Sequence, residues 1–223
     1  MDKKVLSNYQ EFIPKYFENE FEDSKRVFQT FKSLFNLLNL NYFNSKIKLL
    51  DIGSGNGSFV EACKENNIDA IGIDGSKQKI NFENDKLNFK DETFEVVTLI
   101  SVIEHIQEPS NILREIYRIL KKKGVIVIVT PNFKYSYKNF YDDPTHLRPY
   151  TEKSIIKLMQ LYGFKNLKTV PFLVNKSLIF WKIPFSFFFA SILPLKNHQF
   201  KKIPFFNFLK GKSTAMISVS EKI

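Results

Sequence analysis

The chain has 223 residues, 43% of them hydrophobic, with a single cysteine and a formal net charge of +10 at pH 7. That length buries a full core in one domain, or in one domain with an elaboration, and argues against two complete domains. Cys63 alone cannot form an internal disulfide, and Met1-Asp2-Lys3-Lys4 opens no apolar leader, so a cytoplasmic protein is expected.

The excess charge is not spread evenly. From Phe172 onward eight lysines face one acid, Glu221, which places +7 of the +10 in the last quarter. A phosphate-tracking groove near the rest of the chain is not evident, and nucleic acid is therefore disfavoured as a partner.

Residues 1–44 read as N-terminal helices. Tyr9, Phe12, Tyr16 and Phe17 recur at helical spacing. Ser24 is the expected cap of a second helix with the apolar stripe Phe28, Phe31, Phe35 and Leu38, which Asn39 and Asn41 break. Next comes an apolar strand from Ile47 to Ile52, three glycines at alternate positions (Gly53, Gly55, Gly57) and an amphipathic pattern, the signature of strand, tight turn and helix. Such a turn lets the backbone approach a ligand, whose polar groups meet the free amides of the helix start. The spacing G-x-G-x-G puts Ser58 where a dinucleotide loop wants its third glycine, which disfavours NAD, and no triphosphate loop is present. Asp74 closes the short strand Ala70–Ile73 about 20 residues beyond the turn, where such folds hold a ribose diol, and Gly75 gives the backbone room.

Leu50–Gly57, Gly72-Ile73-Asp74, Thr93–Val97, Glu104-His105 and Thr130-Pro131-Asn132, in that order, make the chain resemble the class I S-adenosylmethionine-dependent methyltransferases over residues 45–165. The resemblance implies S-adenosyl-L-methionine as cofactor and a Rossmann-like, mostly parallel α/β sheet with helices on both faces. Asp51, Gly53, Ser54 and Gly55 would frame the methionine part, Asp74 with Gly75 the ribose, and Asp85 with the Lys86 amide the adenine. Ser101, at the tip of the strand Glu95–Ile100, would face the reactive methyl. One departure stands out: only Gly75–Lys79 separates Asp74 from the extended-looking Ile80-Asn81-Phe82, too few residues for a crossover helix.

Glu104-His105 is similar to a pair found in some quinone-type O-methyltransferases, but a metal site wants more ligands than the neighbouring sequence offers, so no metal is expected. Pro109-Ser110 opens a helix ended by Lys121-Lys122-Lys123-Gly124, where the lysines suit the helix dipole. Val125–Val129 reads as a central strand buried on both faces.

The loop that follows, Tyr135–Thr151, lies at the carboxyl end of the sheet and is the expected acceptor site. Its run Asp143–Pro149 is similar to one found in bacterial methyltransferases encoded with surface-polysaccharide genes. Methyl transfer to a hydroxyl needs alignment and a proton acceptor, and His146 is the expected general base, oriented by Asp142, Asp143 and Arg148. Thr151 caps a helix through Met159. A strand Leu167–Phe172 and a last, antiparallel strand over 213–220 follow the resembling fold, which sets the single domain as 1–44, a core of 45–171 and 213–223, and an insertion of 172–212. That insertion gathers ten of the 24 phenylalanines and Trp181 among lysines. Pro184 and Pro194 interrupt it, which argues against a full membrane span and for short aromatic, basic helices at an anionic membrane surface, or for a roof over the acceptor pocket. The function expected is O-methylation of a sugar or lipid-linked glycan. A prenylated phenolic quinone precursor is the alternative acceptor, and a non-catalytic membrane-associated scaffold the alternative role. The oligomeric state is left open.

Overall fold

A computed structural model describes residues 20–37, 47–172 and 215–223. Six strands form one sheet: β1 (Lys48–Ile52), β2 (Asp69–Ile73), β3 (Phe94–Ile100), β4 (Leu120–Pro131), β5 (Phe164–Phe172) and β6 (Ala215–Lys222). Their order is β2-β1-β3-β4-β6-β5. The first four are parallel, and β6 runs antiparallel between β4 and β5. The helices are α1 (Glu20–Leu37), α2 (Ser58–Glu65), α3 (Gly75–Gln78), α4 (Ser110–Ile119), α5 (Phe133–Ser136) and α6 (Glu152–Leu161). The mostly parallel α/β architecture with an antiparallel last strand is the one the sequence implies.

Strand periodicity explains the two cores. Alternate residues of β1, β3 and β4 point to opposite faces, and both faces are covered, so these strands read as continuous apolar runs. Leu49, Val96, Val125 and Val127 pack with Phe28, Phe31 and Phe35 of α1 and Phe59, Ala62 and Cys63 of α2. Leu50, Val97, Ile126 and Ile128 pack on the other side with Ile112, Leu113, Ile116 and Ile119 of α4 and Ile155 and Met159 of α6. Phe31 meets Phe59 edge-on at 5.5 Å between ring centres. Each fully buried phenylalanine of α1 contributes about 2–3 kcal/mol of transfer free energy, so α1 is part of the core rather than an appendage.

Several boundaries differ from the sequence reading. The helix α1 starts at Glu20, so Ser24 lies inside it and is not its cap. The helix α4 ends at Ile119, and Lys121–Lys123 belong to β4, where Lys121 pairs with Glu95; they are not helix-end charges. The strand β5 begins at Phe164, not Leu167. Thr151 does cap α6, with a reciprocal bond to Ser154. The expected helix over residues 1–20 and the insertion from 173 to 214 lie outside the described residues. Among the described residues no helix is long and apolar enough to cross a membrane.

Two features account for the short link after Asp74. The crossover helix is the single turn α3, and Ile80–Phe82 forms no strand. A side-chain frame from α4 replaces the missing ladder. Glu115 Oε2 accepts the Leu87 amide at 2.8 Å, while Arg118 Nη1 and Nη2 donate to the carbonyls of Phe89 and Leu87 at 2.7 and 3.0 Å. Phe89 then packs edge-on to Phe94, 5.0 Å away. The chain leaves β1 for one side of the sheet and returns on the other at β3, so the carboxyl ends of β1 and β3 flank the switch point where open α/β sheets bind ligands.

Candidate active site

After Ile52 the backbone passes through Gly53, Gly55 and Gly57 with φ of +76°, +52° and +94°, a region that side chains adopt only with strain. Gly53 is also held by space, since a Cβ there would lie 2.3 Å from Val102 Cγ2. The amides of Gly53 and Ser54 both donate to the Ile73 carbonyl, at 2.8 and 3.0 Å, which ties the turn to the end of β2. Asp74 completes the link. Its Oδ2 accepts the Gly55 amide at 3.1 Å, and its Oδ1 accepts the amide and hydroxyl of Ser76 at 3.0 and 2.5 Å. Gly75 follows at the start of α3, where a Cβ would meet the Ile80 carbonyl at 2.9 Å.

Asp51, one residue before the end of β1, is 3% exposed. Thr98 Oγ1 donates to its Oδ1 at 2.6 Å. Burial pushes the Asp51 carboxyl up to about 7, the Thr98 hydrogen bond opposes the shift, and the nearby Asp74 charge adds to it. Asp51, Gly53, Ser54, Gly55, Asp74 and Gly75 are thus brought together around one turn. Ser101 is placed at the β3 tip, exposed, with φ +54° and its amide on the Val129 carbonyl at 2.9 Å. Asp85 and Lys86 are exposed. Asp85 accepts the Asn81 amide at 2.7 Å and its carbonyl accepts from Asn111 Nδ2 at 2.9 Å, so its hydrogen bonds run to these residues rather than to the glycine turn.

The residues beyond β3 and β4 build a second group. Glu104 and His105 sit in a single 3-10 turn, Ile103–His105. Glu104 is 1% exposed; its carbonyl accepts the amides of Leu147 and Arg148 at 2.8 and 3.0 Å, and its Oε2 accepts from Thr130 Oγ1 at 2.9 Å. Its Oε1 is buried with no hydrogen-bond partner. Burial pushes the Glu104 carboxyl up to about 7, against its hydrogen bonds and with help from Asp143. Burial likewise lowers His105 below the usual imidazole range, opposed by its bond to Thr145.

His146 comes from the loop, with its ring 4.9 Å from that of His105. Its Nδ1 lies 2.6 Å from the Phe140 carbonyl, and the rings of Phe140 and His146 stack at 4.6 Å. Asp143 is near, with Oδ2 3.7 Å from His146 Nε2. The expected orienting role of Asp142 and Arg148 is not what the structure shows. Asp142 accepts from Asn139 Nδ2 at 2.7 Å, and Arg148 Nη1 donates to the Gln107 carbonyl at 3.1 Å. A backbone carbonyl and a ring face hold His146 instead. The roles of Thr145 and Thr130 escaped the sequence reading because they depend on contacts across tens of residues, and that of Phe140 because it acts through its backbone carbonyl.

Residues 21–169 match the model of the methyltransferase domain family. The chain belongs to that family. The chain is 31% identical over 129 residues to norajmaline N-methyltransferase of Rauvolfia serpentina, covering 49% of the chain and 42% of the relative. It is also 31% identical over 102 residues to a ubiquinone biosynthesis O-methyltransferase of Pelagibacter ubique, covering 39% and 42%. The chain thus spans less than half the length of these two curated relatives. A SAM-dependent methyltransferase from Archaeoglobus fulgidus shares the fold, with a TM-score of 0.58 at 22% identity over 93% of this chain and 98% of that one. The glycine turn of this methyltransferase fits S-adenosylmethionine as its cofactor. It combines a Cβ-free approach at Gly53, a carboxylate at the β2 tip for a diol, and a buried carboxylate, Asp51, at the end of β1.

Proposed function

We propose that the protein is an S-adenosylmethionine-dependent methyltransferase that methylates a hydroxyl of a sugar or lipid-linked glycan. The observation that carries this reading is the link between two built groups through one short segment: Val102 lies against Gly53 of the glycine turn bound to Asp74, and two residues on the Glu104 carbonyl holds the loop Asn132–Tyr150. Asp51, Gly53, Ser54 and Gly55 would hold the methionine part, Asp74 and Gly75 the ribose, Asp85 and the Lys86 amide the adenine, and Ser101 would border the methyl. When bound, the cofactor supplies an electrophilic methyl on a sulfonium. The chain's own task is to align the acceptor oxygen and to receive its proton.

His146 suits the proton's destination in the metal-free protein. The Phe140 carbonyl at 2.6 Å fixes hydrogen on Nδ1, which leaves the Nε2 lone pair as acceptor. Tyr137 and Tyr141, 57% and 60% exposed on the same loop, offer flat rings against which a sugar face can pack. The similarity to the Pelagibacter protein supports a second reading, in which the acceptor is a prenylated phenol.

Calorimetry with S-adenosylhomocysteine tests the cofactor. Binding by the wild type that is lost in Asp74→Ala is expected, and a folded wild type that binds none refutes the reading. Mass spectrometry of surface glycan and of the quinone pool, from cells with and without the gene, tests the acceptor. A methyl missing from glycan supports the first reading and one missing from the quinone the second. A cellular role that survives Asp74→Ala would identify a scaffold.

A further inference from the structure

Two imidazoles and a carboxylate converge in this fold, and one oxygen of that carboxylate, Glu104 Oε1, has no hydrogen-bond partner. One carboxylate oxygen of Glu104, one ring nitrogen of His105 and one of His146 all lie within 4.8 Å of one another. The hydrogen bonds around them say which atoms keep a lone pair free. His105 Nδ1 faces the Thr145 carbonyl at 3.1 Å and Thr145 Oγ1 at 2.9 Å. That hydroxyl gives its own hydrogen to Asp143 Oδ1 at 2.6 Å, so both neighbours of Nδ1 are acceptors and Nδ1 carries the hydrogen. The Phe140 carbonyl imposes the same tautomer on His146. Both rings therefore present the Nε2 lone pair. The third member, Glu104 Oε1, is buried and unpartnered, while its sister oxygen is held by Thr130.

We infer that Glu104 Oε1, His105 Nε2 and His146 Nε2 form a binding site for a divalent first-row transition cation of the zinc class. Three lone pairs directed at one another favour a positive centre between them, a shared proton in the empty site or a cation in its place. A carbonyl or hydroxyl behind each imidazole and a hydroxyl behind the carboxylate is the outer-shell pattern that orients metal ligands. Two nitrogens and one oxygen suit zinc or iron better than magnesium or calcium, which prefer all-oxygen shells. A tetrahedral ion about 2.1 Å from each ligand wants ligand separations of roughly 3.4 Å, so the atoms draw in by about 1.4 Å at most, within reach of small side-chain rotations. Asp143, 3.7 Å from His146 Nε2, adds negative charge beside the ion.

The sequence concealed the site because His146 is about forty residues from the pair, and the loop returns it only by hanging on Glu104. Three protein ligands leave a fourth position for an exogenous oxygen. The role of that position rests on the reading that this group serves the acceptor. There the acceptor's O–H bond breaks, its proton passes to water and its oxygen stays on the ion, so His146 acts as a ligand and not as the base. Binding of the ion does not depend on that reading.

The test uses the tag-free full chain, stripped with chelator and titrated with Zn²⁺ alone against a chromogenic competitor. One equivalent is expected, with affinity at least a hundredfold weaker in His105→Ala and in His146→Ala, roughly tenfold weaker in Thr145→Val, and unchanged in Asp142→Asn. Should an alanine variant fail to fold, the corresponding glutamine variant takes its place, and the visible absorption of Co²⁺ bound to the wild type reports its ligand geometry without any substitution. No binding by the wild type, or binding that both histidine variants keep, overturns the inference. S-adenosylhomocysteine calorimetry on the same samples separates the two claims: cofactor binding without zinc binding refutes the cation site alone, and zinc binding without cofactor binding refutes the methyltransferase reading while the site stands.

Discussion

Replacing Asp51 with asparagine isolates the electrostatic cost built into the cofactor side of the sheet. Asp51 is buried, and its carboxyl is pushed from the ordinary 3.8 up to about 7, chiefly by burial. Between those pH values the folded chain holds a proton that the unfolded chain has released. Stability therefore falls as pH rises through this window, and the full penalty is present above it. At about 1.36 kcal/mol per unit, the wild type should lose about 2–3 kcal/mol from pH 5 to pH 8 through this group alone. Asparagine cannot ionise, and Thr98 Oγ1 can still donate to its Oδ1. Urea unfolding of both proteins at pH 5 and pH 8 gives a difference of differences in which every other titrating group cancels. The wild type should lose about 2–3 kcal/mol more than Asp51→Asn; equal pH dependence of the two would refute the argument. The same carboxylate should ionise when a cationic cofactor group arrives. Calorimetry of S-adenosylhomocysteine near pH 7 should then show a buffer-dependent proton release in the wild type that the variant lacks.

Gly53→Ala combines a φ of +76° with a Cβ 2.3 Å from Val102, and should cost about 2–4 kcal/mol in urea unfolding and weaken cofactor binding by calorimetry. Arg118→Met removes the donors to Leu87 and Phe89 and leaves Glu115, 12% exposed, without its cation. A loss of about 1–3 kcal/mol is expected, with faster amide exchange at Leu87 and its neighbours; unchanged exchange there would show that Arg118 does not hold the segment. Cys63 is fully buried and its thiol is pushed well up, first by burial and then by Asp51. It should resist alkylation at pH 8 until urea unfolds the chain, and rapid labelling of the native protein would contradict its place in the core.

What the sequence made legible follows from range. The glycine turn, Asp74 and the strands beside them are local patterns with one physical solution each: an apolar run, residues free to take positive φ, an acid at a strand tip. The buried stripe Phe28, Phe31 and Phe35 was legible for the same reason. Boundaries were less so. Lys121–Lys123 look like a helix end by charge, yet the pairing of Lys121 with Glu95 extends β4 through them. The shrunken α3 was visible as a shortage of residues, but the Glu115 and Arg118 frame that compensates for it comes from about thirty positions away and has no local signature. His146 was singled out by its chemistry. Of its expected charged partners Asp143 lies beside it, but Asp142 and Arg148 bond elsewhere, because a sequence displays charged side chains and hides the backbone carbonyl of Phe140.

The segment Ser101–His105 shows why the two halves of the site stand in fixed relation. Val102 packs against the bare face of Gly53, so the β3 tip presses on the cofactor turn. Two residues later the Glu104 carbonyl holds the amides of Leu147 and Arg148, and His105 holds Thr145, so the same short turn carries the loop Asn132–Tyr150. Between these contacts only Ile103 intervenes, fully buried in the core. The left-handed backbone at Ser101, bonded to Val129 of the neighbouring strand, fixes the direction in which that turn leaves the sheet. Methyl transfer depends on the line between donor and acceptor atoms, and a five-residue segment anchored at both ends is a stiffer ruler for that line than two loops tethered independently to the sheet.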